Sequence, residues 1–538
     1  METPQRTGPK TNKKGKEWTT HTISALVQSE NIAKNFAKIS SNEDIEEMTI
    51  EENQELDKTI AECERTTKEQ PTPHVTEREL QRALRKANKK SAKGHDGVTT
   101  LMIVDACNSP ITFSVLLDAI NNSIIEDHAF PTDLKTAKVI PLPKDKPNEF
   151  RPISLLISLT KIIESIIEHR TRNATEKLFT KNQFGGRPAH NASQALNRFI
   201  HAAGMALNLK KHFGTISFDF SKAYDRVPKH RIIAKLKALK CPAYLILIIN
   251  NWLTDRLFHV IYRNVTSTTT AQINGIPQGS SLSVLLWLIV VNDCPLDPDE
   301  SNLYVDDSLA WATHENKKEL LKILQNKADQ MLEWCKKNRV KINHDKVKLI
   351  FNQQTGREHI TIDGVHHEAT PTLKYLGMIF KANTMASAST IMLDLSKAAQ
   401  EIRQRCQYMK GVRAYNLNET TYRALCQGFI GGKLNYYTPF LSAEIHSKEI
   451  LRPLQKAYNE YMRTGAFPTT PIPLLHAMSR FPTLSDKIKT DSSIAMINAI
   501  ANGNLMAQDL ITWDRTGEGW TPYGPISSTI AEATRPEY

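Results

Sequence analysis

Apolar and polar residues alternate along two separate stretches of the chain, which predicts β-strands that end in acidic residues. In the first stretch, residues 215–219, the alternation runs up to Asp219. In the second, residues 302–312, an apolar run lies on each side of the adjacent Asp306 and Asp307. Because strand side chains alternate between faces and aspartate is common in turns, this stretch predicts a hairpin with its charges at the tip.

Other segments have apolar residues at helical spacing or short strand-like runs. Thr76 with Glu79 three residues later forms a capping-box pattern, which predicts the start of a helix over residues 76–88. Residues 138–144 and 149–154 predict a two-stranded hairpin around a polar turn. The segments with helical apolar stripes are residues 161–168, 282–291, 328–337, 387–410, 419–433 and 448–463.

The three acids would have a chemical purpose if the fold brought them together. Nucleotidyl transfer requires charge neutralisation at the attacking and leaving oxygens, which two hard cations about 3.5–4 Å apart can supply. Mg²⁺ prefers oxygen ligands, so carboxylates on adjoining strands suit it. Without a cation, three such carboxylates would repel and raise each other's pKa. The acids therefore predict a cation site, although an ordinary acidic turn at Asp306 and Asp307 is the alternative.

Three ordered motifs carry a family resemblance. Residues 218–227, 275–280 and 304–307 resemble the central motifs of reverse transcriptases, and their order and spacing are most similar to the RNA-directed DNA polymerases of jockey-like non-LTR retrotransposons. The resemblance covers about residues 76–490 and implies an α+β right-hand polymerase fold. It implies fingers with first palm elements (76–215), a palm (216–382) and a helical thumb (383–490). The residues outside this range indicate a disordered basic tail, to about residue 25, with a helical connector (together 1–75), and a C-terminal extension (491–538).

The resemblance also implies which residues carry the chemistry. Asp219, Asp306 and Asp307 would be the catalytic carboxylates that hold two Mg²⁺ ions, with Mn²⁺ as an alternative, and the carbonyl of Phe220 would complete one coordination sphere. Tyr224 would be a steric gate that leaves no volume for a 2′-hydroxyl, the group that separates ribonucleotides from deoxyribonucleotides. Tyr224 therefore favours DNA synthesis, and the alternative is a packed aromatic ring.

Nucleotide-binding residues follow from the same positions. Lys144 and Arg151 would grip the incoming triphosphate, since Arg offers a planar fork to phosphate oxygens and Lys a mobile charge. Gln278 and Gly279 would approach the nucleotide or the template base. Lys346 would be a proton donor to the leaving pyrophosphate. For the three cations, a solvent-exposed surface position is the alternative.

Template and primer contacts are implied at two basic residues and one turn. Lys93 lies in a glycine-containing loop that resembles the family's entry to the fingers, where a basic surface turn is the alternative. Arg187 lies in a segment that resembles a template contact. Tyr375, Leu376 and Gly377 resemble the primer grip, where the glycine would let the primer backbone approach.

Three hypotheses of function follow. The leading one is an RNA-templated DNA polymerase in which a primer 3′-hydroxyl attacks the α-phosphate of a deoxynucleoside triphosphate. The second is a catalytically decayed or host-adopted nucleic-acid-binding protein, which is favoured by Ser281 and Val284 in place of frequent prolines and opposed by the intact Asp219, Asp306, Asp307 and Tyr224. The missing endonuclease-like segment also favours a truncated reading frame. The third, an RNA-copying RNA polymerase, is disfavoured by Tyr224.

Composition sets the expected partners. The 538 residues carry a net charge of +12, which suits a polyanion. We expect an RNA template, a DNA primer or nicked target DNA, and deoxynucleoside triphosphates; oligomeric state is left open. The longest apolar run, residues 284–291, is too short to span a bilayer, so no membrane partner is expected. Seven cysteines without zinc-ligand spacing predict reduced thiols and an intracellular protein, nuclear or cytoplasmic.

Overall fold

A computed structural model describes most of the chain. The described residues are 11–41, 48–144, 147, 149–353, 358–383, 390–412, 415, 417–441, 448–464, 469–479 and 481–501. The first ten residues of the predicted tail and most of the predicted C-terminal extension lie outside these ranges.

The described residues form nineteen α-helices and fourteen β-strands. The helices are α1 (Thr11–Ser40), α2 (Ile50–Glu69), α3 (Glu77–Lys86), α4 (Thr100–Ala106), α5 (Pro110–Ile120), α6 (Thr132–Lys135), α7 (Ser158–Thr175), α8 (Ala192–Asn208), α9 (Ala223–Arg226), α10 (Lys229–Ala238), α11 (Ala243–Leu253), α12 (Ser281–Val291), α13 (Lys317–Asn338), α14 (Leu395–Val412), α15 (Glu419–Cys426), α16 (Gly432–Tyr437), α17 (Lys448–Arg463), α18 (Ile472–Ser479) and α19 (Leu484–Ala501). The strands are β1 (Ala137–Pro143), β2 (Phe150–Leu155), β3 (His212–Asp219), β4 (Arg256–Tyr262), β5 (Val265–Thr266), β6 (Thr270–Gln272), β7 (Ser301–Tyr304), β8 (Asp307–His314), β9 (Lys348–Phe351), β10 (His359–Ile362), β11 (Val365–Glu368), β12 (Thr372–Tyr375), β13 (Met378–Asn383) and β14 (Thr390–Leu393).

The chain divides into two compact units, each built from separated segments. Unit 1 comprises Met1–Gly186, Phe220–Pro295 and Met331–Asn343, and unit 2 comprises Arg187–Asp219, Leu296–Gln330 and His344–Tyr538. The expected division into continuous fingers, palm and thumb stays a prediction.

Unit 1 contains a mixed sheet with strand order β2-β1-β4-β5, and β6 also pairs with β4. The predicted hairpin is present, because β1 and β2 pair antiparallel. Helix α1 packs on this sheet through Ile32 and Ala33, which are buried with Val139 and Val260. Helix α1 begins at Thr11, whereas disorder was expected to about residue 25; the residues of α1 that pack on the sheet lie beyond that expected tail.

The helices of unit 1 confirm much of the helical pattern. Helix α3 begins with the predicted capping box between Thr76 and Glu79. Helices α7 and α12 are largely buried and pack on each other, as expected from their apolar stripes. Among the described residues no single helix is long and apolar enough to cross a bilayer, although the bent pair Thr100–Ala106 and Pro110–Glu126 passes that test together.

Unit 2 contains a four-stranded antiparallel sheet with strand order β7-β8-β3-β9. The ring of Phe199 on α8 lies at the centre of its core, where its centroid is 6.0 Å from those of Phe213 and Trp311 and 5.0 Å from that of Phe380. A second sheet has the order β12-β13-β14. The combination of antiparallel sheets and helices confirms the α+β class.

The helices after residue 390 differ in detail from the sequence prediction. The first expected helix, residues 387–410, begins only at Leu395, because residues 390–393 pair with β13 as a strand. The second, residues 419–433, is interrupted by a π-helical segment at Gln427–Gly431. Helix α17 has the predicted range.

Candidate active site

The strand pairing in unit 2 brings the predicted acids together. Strand β3 ends at Asp219, and its register with β8 sets Asp219 directly opposite Asp307. Side chains at opposed positions of antiparallel strands share a face with Cβ atoms about 4.5–5.5 Å apart. Strands β7 and β8 form the predicted hairpin, in which Tyr304 pairs with Asp307. The two turn residues are Val305 and Asp306, so the tip lies one residue earlier than the sequence pattern predicted.

The backbone at this tip is strained. Val305 has a φ of +58°, in the left-handed region. Two-residue hairpins place glycine or asparagine at such positions, since a β-branched side chain there crowds the following carbonyl. The sheet holds Val305 in this conformation because both flanking strands are paired. The tip therefore presents Asp306 in one defined orientation.

The electrostatics show an excess of negative charge at the acids. Crowding of the Asp307 carboxylate by neighbouring atoms raises its pKa to about 6, and repulsion from Asp306 and Asp219 adds to this, although the residue keeps part of its surface in solvent. The Lys346 ammonium acts in the opposite direction. Its Nζ lies 3.1 Å from both carboxylate oxygens of Asp219. Lys346 thus contacts one of the three predicted catalytic acids, and its role as a proton donor stays a prediction.

Three clustered carboxylates with one ammonium fit a hard cation by donor type, because Mg²⁺ and Mn²⁺ prefer oxygen ligands. Among the residues that the structure describes, no group of three or more His, Cys, Asp or Glu side chains is arranged to hold a metal ion. Phe220, whose carbonyl was expected to complete the coordination sphere, is buried and forms an isolated antiparallel bridge with Ile342 in unit 1. Its role stays a prediction.

The predicted nucleotide loop, residues 275–280, belongs to unit 1 and is held by its backbone. The amide of Ile276 donates to the carbonyl of Tyr224 at 2.7 Å, and the amide of Ser154 donates to the carbonyl of Gln278 at 2.7 Å. Gly275 has a φ of +83°, and a Cβ there would lie 2.5 Å from the carbonyl oxygen of Asp225. This close approach requires glycine.

A buried acid that the sequence did not reveal anchors the end of this loop. Glu164 on α7 is fully buried and accepts hydrogen bonds from Trp252 Nε1 at 2.9 Å and Ser280 Oγ at 2.7 Å. The Oγ of Ser280 also caps α12 by accepting from the amides of its first turn. Burial raises the pKa of Glu164 to about 7, and the nearby Arg256 guanidinium, also buried, opposes this shift. Helical periodicity assigned residues 161–168 to a core helix but gave no sign that one of its acids faces inward.

The predicted steric gate is a packed ring. Tyr224 is half-buried, and its ring stacks on that of Trp287 with centroids 5.9 Å apart and planes 28° apart. The packing suits the alternative of a structural aromatic and also fixes the ring as a gate would need. Its role as a gate stays a prediction.

The two predicted triphosphate-binding cations lie at the turn end of the β1–β2 hairpin. Lys144 and Arg151 are both exposed, and the amide of Lys144 donates to the carbonyl of Glu149 at 2.9 Å. The charge of Lys144 also reaches Asp225, whose pKa it lowers against a larger opposite effect of burial. Solvent exposure agrees with both a triphosphate contact and a surface cation.

The predicted template and primer residues differ in exposure. Lys93 is exposed and Arg187 is half-buried. The Tyr375 ring is buried in the core of unit 2, so a primer contact at this turn would fall to the backbone of Leu376 and Gly377, both at positive φ. The hydroxyl of Tyr436 donates to the Leu376 carbonyl and holds the turn. These contacts stay predictions.

Comparisons with known proteins agree with this geometry. The model of the reverse transcriptase (RNA-dependent DNA polymerase) family matches residues 142–380. The RNA-directed DNA polymerase from mobile element jockey of Drosophila funebris is 30% identical over 57% of this chain and 35% of its own length. The probable RNA-directed DNA polymerase from transposon BS of Drosophila melanogaster is 27% identical over 63% of this chain and 39% of its own. The chain thus spans less than half of these curated relatives.

A solved structure of apo telomerase from Candida tropicalis is also similar, with 13% identity, 71% of this chain and 68% of that chain covered, and a TM-score of 0.39. The family match confirms the right-hand polymerase fold class that the three motifs implied. Residues 142–380 are therefore similar to the reverse transcriptase family, and the similar curated proteins include RNA-directed DNA polymerases from mobile element jockey.

Proposed function

We propose that this chain is an RNA-templated DNA polymerase that adds deoxynucleotides to a primer 3′-hydroxyl. The observation that carries the proposal is the register that sets Asp219 opposite Asp307, next to Asp306 in the turn. The family match and the relatives named RNA-directed DNA polymerase support the same reaction. The proposed partners are an RNA template, a DNA primer or nicked target DNA, and deoxynucleoside triphosphates, and the proposed location is intracellular.

In this reaction the three acids would bind metal ions and Lys346 would donate a proton. Asp219, Asp306 and Asp307 would hold two Mg²⁺ ions, which when bound lower the pKa of the attacking hydroxyl and neutralise the leaving group. The strained turn keeps Asp306 beside the paired strands. The Lys346 ammonium, at 3.1 Å from Asp219, keeps a proton donor next to the acids where pyrophosphate leaves.

Choice of substrate would rest on unit 1. Tyr224 would exclude ribonucleotides through its ring, which Trp287 holds in place. Lys144 and Arg151 would contact the triphosphate from the hairpin. Sequence specificity comes from pairing with the template, so the protein needs only contacts to the backbone and the nucleotide.

Substitution of Asp306 tests the proposal. Asp306→Asn should abolish primer extension on an RNA template while leaving binding to a primer–template duplex nearly unchanged, because the amide keeps the shape but loses the charge. Asp105→Asn, which changes an exposed acid on α4, is the matched control and should retain extension. Retained extension in Asp306→Asn, or loss of duplex binding, would contradict the assignment. Deoxynucleotides and ribonucleotides are compared in the same assay to test Tyr224.

A nucleic-acid-binding protein without catalysis is the second candidate. It is favoured by Ser281 and Val284, which stand where the resembled family often has proline. A wild-type chain that binds the duplex but extends no primer with Mg²⁺ or Mn²⁺ would establish this second function instead.

A further inference from the structure

The carboxylate of Asp225 and the amide of Gln278 form a pair that the expected chemistry does not use. Asp225 lies on α9 directly after Tyr224. Its Oδ1 and Oδ2 both accept from Gln278 Nε2, each at 2.9 Å. An ionised carboxylate can only accept hydrogen bonds, so the amide nitrogen of Gln278 must face it. The orientation of the Gln278 amide is therefore fixed by chemistry.

This orientation leaves one polar atom of Gln278 for a ligand. The nitrogen Nε2 faces Asp225, so the amide oxygen Oε1 lies on the other side of the amide group, and it has no hydrogen-bond partner among the described residues. Carbonyl oxygens of amides accept and do not donate. Gln278 thus offers an acceptor to water or to a ligand group that donates a hydrogen bond.

The backbone around the pair leaves little room for a different arrangement. The amide of Gly275 donates to the Val227 carbonyl at 2.9 Å, which ties the loop to the residues just after α9. The carbonyl of Gln278 accepts from Ser154. Both members of the pair line a small cavity of about 30 Å³, roughly the space for one water molecule. The cavity shows that space for a small polar group lies beside the pair.

The charges around Asp225 keep it able to accept. Burial raises its pKa to about 6, while the hydrogen bonds from Gln278 and the charges of Lys222, Lys144 and Arg226 oppose this shift. The carboxylate is therefore mostly ionised at neutral pH, the state that binds the NH₂ group.

We propose that Asp225 is a positioning residue that commits the NH₂ group of Gln278 and turns its carbonyl oxygen towards a hydrogen-bond donor of the bound nucleotide or template base. The inference rests on the proposed polymerase function, which places Gln278 at the nucleotide. The donor is a sugar hydroxyl or a base amino group, and it belongs either to the incoming nucleotide or to the template. The assay distinguishes these two sources. A nucleotide donor affects KM for the deoxynucleoside triphosphate, and a template donor affects affinity for the template.

The test uses single variants and a charge-conserving exchange. In Asp225→Asn, the Gln278 amide can face its partner with either end, so KM or template Kd should rise about tenfold, the effect of a hydrogen bond worth about 1.4 kcal/mol, with kcat nearly unchanged. Gln278→Glu sets two carboxylates against each other and should be impaired more. In the double variant Asp225→Asn with Gln278→Glu, the Asn amide donates to the Glu carboxylate, which again offers an acceptor. The double variant should therefore return to within about threefold of wild type.

The wild type, the two single variants and the double variant are also compared by thermal unfolding, with Asp105→Asn as the control. Both single variants should lower the Tm, and the exchange should restore it, even if the chain extends no primer. A wild type without extension would refute the polymerase function, whereas failure of the exchange to restore Tm would refute the pairing itself. In an active wild type, an unchanged KM and template Kd in Asp225→Asn, or a double variant no better than Gln278→Glu, would overturn the positioning role. In the single variants, a kcat that falls in step with the Tm would indicate simple packing instead of positioning.

Discussion

In the predicted nucleotide loop, backbone atoms of neighbouring residues come close to Gly275, and substitution of this glycine tests the fold around it. At Gly275, φ is +83°, and an added Cβ would lie 2.5 Å from the Asp225 carbonyl oxygen and 2.7 Å from that of Tyr224. At Gly97, φ is +72°, and nothing lies within 4 Å of the same added atom. Alanine at either position therefore has the same free-energy cost of a left-handed backbone, but only alanine at Gly275 also overlaps with neighbouring atoms.

The two costs can be worked separately. A left-handed conformation costs an alanine about 1–2 kcal/mol, partly offset by about 0.4–1 kcal/mol because alanine restricts the unfolded chain. Gly97→Ala should therefore lose about 1 kcal/mol of unfolding free energy. Gly275→Ala adds an overlap with backbone atoms that cannot rotate away, which in packed interiors costs about 1–3 kcal/mol. We expect a total loss of about 2–4 kcal/mol for Gly275→Ala.

Thermal unfolding and primer extension measure the difference. For structural units of this size, 1 kcal/mol corresponds to a shift in Tm of about 2–4 °C, so Gly275→Ala should lose at least twice as much Tm as Gly97→Ala. Extension should fall more in Gly275→Ala, because the loop must move away from Tyr224 and Asp225. Equal losses of Tm in the two variants would refute the reasoning, since they would show that the contact at Gly275 has no energetic weight.

Two further predictions concern ionisable groups. Burial raises the pKa of Glu164 to about 7 from 4.5, so the folded chain holds this proton more tightly than the unfolded chain. The free energy of unfolding should therefore fall as the pH rises from about 4.5 to 7, by up to about 1.4 kcal/mol per pH unit. Glu164→Gln should remove this dependence on pH. If chemical unfolding showed the same pH dependence in Glu164→Gln as in the wild type, the burial argument would be contradicted. Lys346→Met should raise the pKa of Asp307 further and shift the acid limb of the pH–rate profile to higher pH, whereas Lys346→Arg should not. If only the alkaline limb changed, Lys346 would act solely as a proton donor.

Local sequence patterns predicted the catalytic hairpin well. The alternation around Asp306 predicted the turn to within one residue and the alternation up to Asp219 predicted the end of β3, although β3 begins at His212, three residues before the predicted run. A strand has a period of two, so the pattern determines which side chains share a face. The pairing of β3 with β8 joins residues nearly a hundred positions apart, and only the family resemblance indicated it. Periodicity alone gives no information on which strands become neighbours.

The residues that sequence analysis missed are polar groups that face inward. Glu164 and Arg256 are charged, so hydropathy assigns them to the surface, yet both are fully buried. Asp225 followed a recognised motif but gained its importance from Gln278, 53 residues later. The α1 helix was expected to be partly disordered, since the basic residues at its start hide an apolar stripe that needs a distant sheet.

The conformation of Val305 makes the hairpin tip depend on strands that lie away from it. A β-branched residue at positive φ stores about 1–3 kcal/mol, and the turn would relax if the flanking hydrogen bonds gave way. Relaxation of the turn would move the Asp306 carboxylate away from that of Asp219 before either unit unfolded. Damage deep in the β7–β8 ladder would therefore abolish the proposed primer extension in a chain that still looks native by its Tm.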